Sequence, residues 1–180
     1  MPQLSIRFFV FLFLMGVNLG GFAQRNWGED AFPPGEDGLR EMLMYVLEAD
    51  EEERRELTEA LVPDLSDCEA VFDGKYGKKI FKYQTRLSKI ADIVLQPLLE
   101  EQTQILIWGS NTEELLAYQG EARDFQGGYR ELAPYIKAEQ TFFRAKFVEP
   151  GHKLGSSYDL FVHVNGHWTL IHRPWAVLFQ

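Results

Sequence analysis

With a single cysteine, Cys68, in 180 residues, this chain can form no intramolecular disulfide, so packing must hold the fold. Positive charge is scarce too. Eighteen lysines and arginines stand against 27 aspartates and glutamates, a formal net charge of −9. That balance argues against nucleic-acid binding, which needs basic stripes to neutralise phosphate. No apolar run reaches the roughly 20 residues of a membrane-spanning helix. The densest, Phe8 to Leu19, is interrupted by Asn18. Gly127-Gly128 lacks the lysine and hydroxyl residue of a phosphate loop, and no strand immediately precedes it. There is no repeat, no low-complexity tract and no second compositional block, so one folded domain is expected.

Residues 1–23 read as an export signal. Arg7 supplies the positive start, Phe8–Leu19 the apolar core, and Gly21-Phe22-Ala23 the small residues a signal peptidase reads. Cleavage after Ala23 or Gln24 would deliver the chain to the periplasm or the exterior without a stable membrane anchor. No cysteine lies near the cut, so a lipid anchor is not indicated. Residues 24–37, with Pro33-Pro34-Gly35, read as a flexible lead-in, and residues 38–180 as a single α+β domain.

Leu39, Met42, Leu43, Val46 and Leu47 recur at helical spacing. Asp50 suits the cap of a second helix running through Leu57 and Leu61 to Pro63, with Glu51, Glu52 and Glu53 favourable in its first turn. Ser66-Asp67-Cys68-Glu69 has capping-box spacing and predicts a short helix to about Phe72. Cys68 then sits in a first turn between two acids, which disfavour a thiolate, and reads as a small structural residue. The longest helix is expected over Lys78–Leu95, with Ile80, Tyr83, Leu87, Ile90, Ala91 and Val94 as its apolar stripe. Lys78, Lys79, Lys82, Arg86 and Lys89 make a basic strip on it, either a solvated face paired with the acidic helices or a surface for an anionic partner.

The C-terminal stretch is strand-like. Gln104–Trp108 is a short strand, and Asn111 with Glu114 caps a helix after it. Phe142–Val148 is a second strand, with Phe143, Ala145 and Phe147 on one face. Asp159–Val164 and His167–His172 flank Asn165-Gly166, a dipeptide suited to a type I′ turn. A two-residue turn fixes the register: Phe161 opposite Leu170, Val162 opposite Thr169, His163 opposite Trp168, Val164 opposite His167, and Asp159 opposite His172. The expected fold class is therefore α+β, N-terminal helices packed on a curved, antiparallel C-terminal sheet of about four strands.

The helix pair broken at an acidic cap, Tyr45-Val-Leu-Glu-Ala-Asp-Glu followed by Leu57 to Asp64, together with the meander from Phe142 to Trp175, resembles NTF2-like (cystatin-like α+β) domains. The resemblance implies a bent sheet wrapped against the helices around a conical pocket. It implies no particular activity, because that superfamily holds enzymes, binding modules and scaffolds.

The four histidines all follow residue 151, yet their positions do not converge. In the expected register His163 and His172 are about 13 Å apart along the sheet, His167 faces the other way and His152 lies in a loop. No metal site and no cofactor are expected. Asp159 and His172, facing each other across two strands, are the candidate catalytic pair: the carboxylate would orient the imidazole and raise its basicity as a general base. Trp108, Glu121, Arg123, Asp124, Phe161, His163 and Trp168 are candidates for the lining or rim of a pocket. Two readings follow. One is a non-catalytic module binding a small apolar ligand or a protein partner. The other is a small hydrolase, lyase or isomerase with His172 as base. His172 within a concave pocket would favour the enzyme, and His172 on an open face the module.

Overall fold

Apolar spacing and end caps decide the helices. The computed structural model describes residues 31–137 and 139–179. The export signal and most of the lead-in lie outside the described residues. α1 (Glu36–Glu48) buries Leu39, Met42, Leu43 and Val46 of the expected stripe, with Leu47 half-buried at its edge. α2 (Glu51–Ala60) starts at Asp50, whose side chain accepts from Glu53 N at 2.9 Å while Glu53 accepts from Asp50 N at 3.1 Å. The described part of the lead-in docks on this unit, with Trp168 Nε1 donating to Pro33 O at 3.0 Å.

α3 (Leu65–Val71) begins two residues earlier than the Ser66–Glu69 pattern predicts. Its cap is Asp64, which accepts from Asp67 N at 2.8 Å while Asp67 accepts from Asp64 N at 2.9 Å. Tertiary partners select this alternative. Asp67 is buried and also receives Asn165 Nδ2 at 2.8 Å, with His167 Nε2 at 3.3 Å. The N3 side chain of the true cap thus ties α3 to the tip of the C-terminal hairpin.

α4 (Gly74–Ile90) starts before and ends before the expected span. It crosses α3 closely at Gly77, where a Cβ would lie 2.9 Å from Cys68 O. Beyond Ile90 the chain is held extended rather than helical. Leu95 N donates to Thr58 Oγ1 at 2.9 Å, and Tyr158 Oη lies 3.0 Å from Val94 O and 2.8 Å from Gln96 O. Ile90 is consequently exposed, not part of the buried stripe, which is instead Gly77, Ile80 and Gln84.

The sheet has the order β1-β2-β3-β4, all antiparallel and not closed: β1 (Gln104–Asn111), β2 (Thr141–Val148), β3 (Gly155–Val164) and β4 (His167–Leu170). Between β1 and β2 lie α5 (Thr112–Ala117), capped by Asn111 and Glu114 as expected, a 3₁₀ turn at Gly120–Asp124, and α6 (Gly128–Leu132). The fold is α+β. One sheet face, with Phe143, Ala145, Phe147 and Phe161, packs on α1 and α2. The other, with Phe142, Leu160, Val162 and Ile171, packs on residues of α3 to α6 such as Val71, Ile80, Leu115 and Tyr129.

The hairpin register is the expected one from Phe161↔Leu170 to Val164↔His167, with Asn165 at φ 52° and Gly166 at φ 83° in the turn. It continues to Leu160 and Ile171, where Ile171 N donates to Leu160 O at 3.0 Å, and fails at Asp159 and His172. Leu160 adopts φ 70° and bulges β3, so Phe161 opposes Phe143 while Asp159 opposes Arg144. An extra residue in a strand turns every side chain beyond it to the other face.

Candidate functional site

The bulge separates the expected catalytic pair. Asp159 does not face His172. Its Oδ1 lies 2.8 Å from Arg144 Nε, and only 6 % of the Asp159 side chain and 14 % of that of Arg144 are exposed. The Nε–H and Nη2 of Arg144 are aimed at Ser157 Oγ, at 3.2 and 2.9 Å, so Oδ1 receives charge without an aligned hydrogen bond. Burial raises the Asp159 pKa above 3.8, and Arg144, Ser157, Lys146 and Gln126 oppose that rise. The Tyr129 hydroxyl beside this pair is fully buried without a hydrogen-bond partner, and burial, then the Asp159 charge, push its pKa well up. The carboxylate of this cluster is buried, while Arg144 is partly exposed and Ser157 lies at the surface.

His172 lies elsewhere, just past the end of β4, held by α4. Gln84 Nε2 donates to His172 O at 2.7 Å, and His172 N donates to Gln84 Oε1 at 3.2 Å. Gln84, only 4 % exposed, therefore continues the β4 ladder from a helix. The imidazole has no hydrogen-bonding partner of its own among the described residues. Burial, and secondarily the charge of Arg173, lower its pKa below 6.5, the reverse of what a carboxylate partner would do. At neutral pH the ring is uncharged and can donate from one nitrogen and accept at the other.

His172 lines a cleft of about 130 Å³ between α2, α4 and the extended segment after α4. Leu61, Val62, Leu87, Ile93 and Leu170 supply apolar wall, and Gln84, Ser88 and Glu59 polar groups. At one side Arg55 Nη1 meets Asp92 Oδ1 at 2.5 Å, pinning α2 to the segment that follows α4.

The other expected site residues do not join His172. Phe161 and Trp168 are buried in the core shared with α1 and α2, and the His163 ring packs edge-on against Trp168 at 5.4 Å between centroids. Trp108 lies under Arg144 and Lys146, at 5.9 and 5.5 Å from its ring centroid. Glu121 accepts from Gly109 N at 2.6 Å and Arg123 Nε donates to Tyr118 O at 3.4 Å, both anchoring the glycine-rich connection after β1, while Asp124 is exposed. None of these lines the His172 cleft. Among the described residues, no cluster of three or more His, Cys, Asp or Glu is placed to hold a metal ion. Cys68 is buried, and its thiol is pushed up to about 12 by burial and then by Asp67, Asp64 and Glu69, which suits a packing residue.

Gln84 is the site residue that sequence reasoning passed over. Its signal was present: a polar residue at i+4 from Ile80 and i+7 from Gly77, on the face that must be buried. Comparison with family models, characterised proteins and solved structures finds no match to this chain.

Proposed function

We propose that this chain is a non-catalytic binding module, exported by its N-terminal segment, whose His172 cleft takes a small apolar group carrying one hydrogen-bonding atom. The observation that carries this reading is an apolar-walled cleft of about 130 Å³ with an unpartnered neutral imidazole in its wall. A cavity of about 150 Å³ accommodates benzene, so the fitting portion is a single ring or one branched side chain. Polar groups in such a cleft orient a ligand whose affinity comes from apolar burial. The NTF2-like layout of helices on an antiparallel sheet is proposed as the scaffold on element order alone.

Phenol is a suitable probe, followed by ¹H–¹⁵N NMR. Saturable shifts at Leu87, Ile93 and His172 that vanish in Leu87→Trp, where the indole fills the cleft, are the expected result. Shifts scattered over the surface, or shifts unaffected by that substitution, would reject the cleft as a binding site.

The second reading, a small hydrolase, lyase or isomerase with His172 as base, is the one that a His172 within a concave cleft was expected to favour, and Glu59 and Ser88 line the same cleft. It lacks an orienting carboxylate, since Asp159 is engaged with Arg144. Turnover of p-nitrophenyl acetate that disappears in His172→Gln, with phenol binding intact, would replace the first reading by this one.

A further inference from the structure

The outer face of α4 carries Lys75, Lys78, Lys79, Lys82, Arg86 and Lys89, and no acid occurs anywhere in Gly74–Ile90. At helical periodicity all six project within an arc of about 100°, opposite the buried Gly77, Ile80 and Gln84. From Lys75 to Lys89 the ridge runs about 21 Å. Carboxylate pairing along it is sparse. Among the described residues Lys78 alone of the six forms an ion pair, with Glu69 Oε1 at 4.0 Å. Lys75 and Lys79 lie 5.4 and 5.8 Å from the Tyr76 ring centroid, and Arg86 lies 5.9 Å from that of Tyr83. Shallow grooves flank the ridge, one reaching Tyr83 and Val177, the other Phe81 and Thr85, and no carboxylate lines either.

We propose that this ridge docks on an anionic phospholipid bilayer, independently of the His172 cleft. A straight, convex row of cations matches a flat field of phosphates, whereas a compact anion needs donors that converge. Clusters of four to eight lysines and arginines on one helix have the charge such a surface recognises. Ile90, 75 % exposed, stands at the C-terminal end of the row, and the 3₁₀ turn packed on α4 ends in Phe179, 71 % exposed. The acid-rich α1 packs on the opposite sheet face from α4, so the charge of −9 is not spread evenly around the molecule. A second copy of the chain is the competing partner, because Glu52, Glu56 and Glu59 of α2 repeat the spacing of Lys82, Arg86 and Lys89. Exposed ion pairs each contribute little and must offset the freedom lost on association. A bilayer engages the whole row at once.

Co-sedimentation of the full chain with vesicles of phosphatidylcholine, and of phosphatidylcholine mixed with phosphatidylglycerol, tests this. Binding through the apolar run near the N-terminus would occur on both vesicle types, so the ridge is read from the difference. Affinity for the mixed vesicles should be about tenfold higher, and the increment should vanish near 0.5 M NaCl, where charges are screened within a few ångströms. The triple substitution Lys79→Glu, Lys82→Glu, Arg86→Glu, all at exposed positions, should remove the increment and leave the neutral-vesicle background. The salt arm stands alone should that variant fold poorly. Equal binding to both vesicle types, or an increment insensitive to salt, would overturn the proposal. So would an increment removed by millimolar inorganic phosphate but not by NaCl of equal ionic strength, which would mark a discrete phosphate site. A dimer seen by light scattering and abolished by the triple substitution, with no vesicle increment, would assign the ridge to a second copy instead.

Discussion

Asp159 and Arg144 stand opposite each other on β3 and β2, with Oδ1 2.8 Å from Nε. The Asp159 pKa is raised in spite of its cationic neighbour, so desolvation outweighs attraction there.

That imbalance gives a pH test. A raised folded pKa means the protonated carboxyl stabilises the fold below the unfolded value near 3.8, and this contribution is lost as pH rises through the folded value. Asp159→Asn holds the group permanently neutral. Urea melts should therefore show the wild type losing ground to Asp159→Asn as pH rises from the unfolded value near 3.8 through the raised folded one. A difference that moved the other way would mean that Arg144 dominates. Arg144→Met leaves the carboxylate without its cation and should cost about 3 kcal/mol at neutral pH.

His172 tests the same principle with opposite sign. Its pKa is lowered below 6.5, so its neutral form contributes stability that is complete above the unfolded value and lost as pH falls through the folded one. His172→Gln should flatten the loss of stability just below pH 6.5. Direct NMR titration of the ring should give a midpoint under 6.5; a midpoint above it would restore a carboxylate partner.

How much of this was legible depended on how local each cause is. The α1 stripe, the Asp50 and Asn111 caps and the turn at Asn165-Gly166 rest on neighbours in sequence, and all stand where the spacing puts them. The bulge was not legible, because leucine disfavours the left-handed conformation it adopts at Leu160 by about 1–2 kcal/mol. What holds it there is the burial of that side chain among Phe142, Val162 and Ile171, which no local pattern reports. The candidate pair failed with it. The end of α4 was hidden for a similar reason. Thr58 and Tyr158, far away in sequence, supply the partners that keep residues 94–96 extended.

Gln84 makes the cleft possible by completing the β4 ladder. Gln84→Leu keeps the volume but removes both bonds to the His172 backbone. The loss of two bonds at a partly buried peptide should cost about 2–3 kcal/mol. Amide exchange at His172 should accelerate selectively in native conditions, and phenol shifts at His172 should weaken while those at Leu87 persist. Unchanged exchange at His172 would show that the amide is not guarded by this side chain.

The capping residues of α3 decide between two overlapping patterns. If Ser66 were the cap, Ser66→Ala would cost about 1 kcal/mol, and Asp64→Ala little. In the structure Asp64 is the cap, and Ser66 Oγ accepts an exposed bond from Asn165 Nδ2 at 3.2 Å and gives the Asp64 carboxylate secondary support. Asp64→Ala should therefore cost about 1 kcal/mol and Ser66→Ala a few tenths. Asp67→Ala should exceed both, because it removes the reciprocal half of the box and the partners of Asn165 and His167 together. A double-mutant cycle between Asp67→Ala and Asn165→Gly measures the link between α3 and the hairpin tip, since glycine keeps the positive φ that the turn requires at position 165. A coupling of about 1 kcal/mol is expected for a hydrogen bond to a carboxylate. Strict additivity would show that the hairpin folds back on α3 without help from this bond.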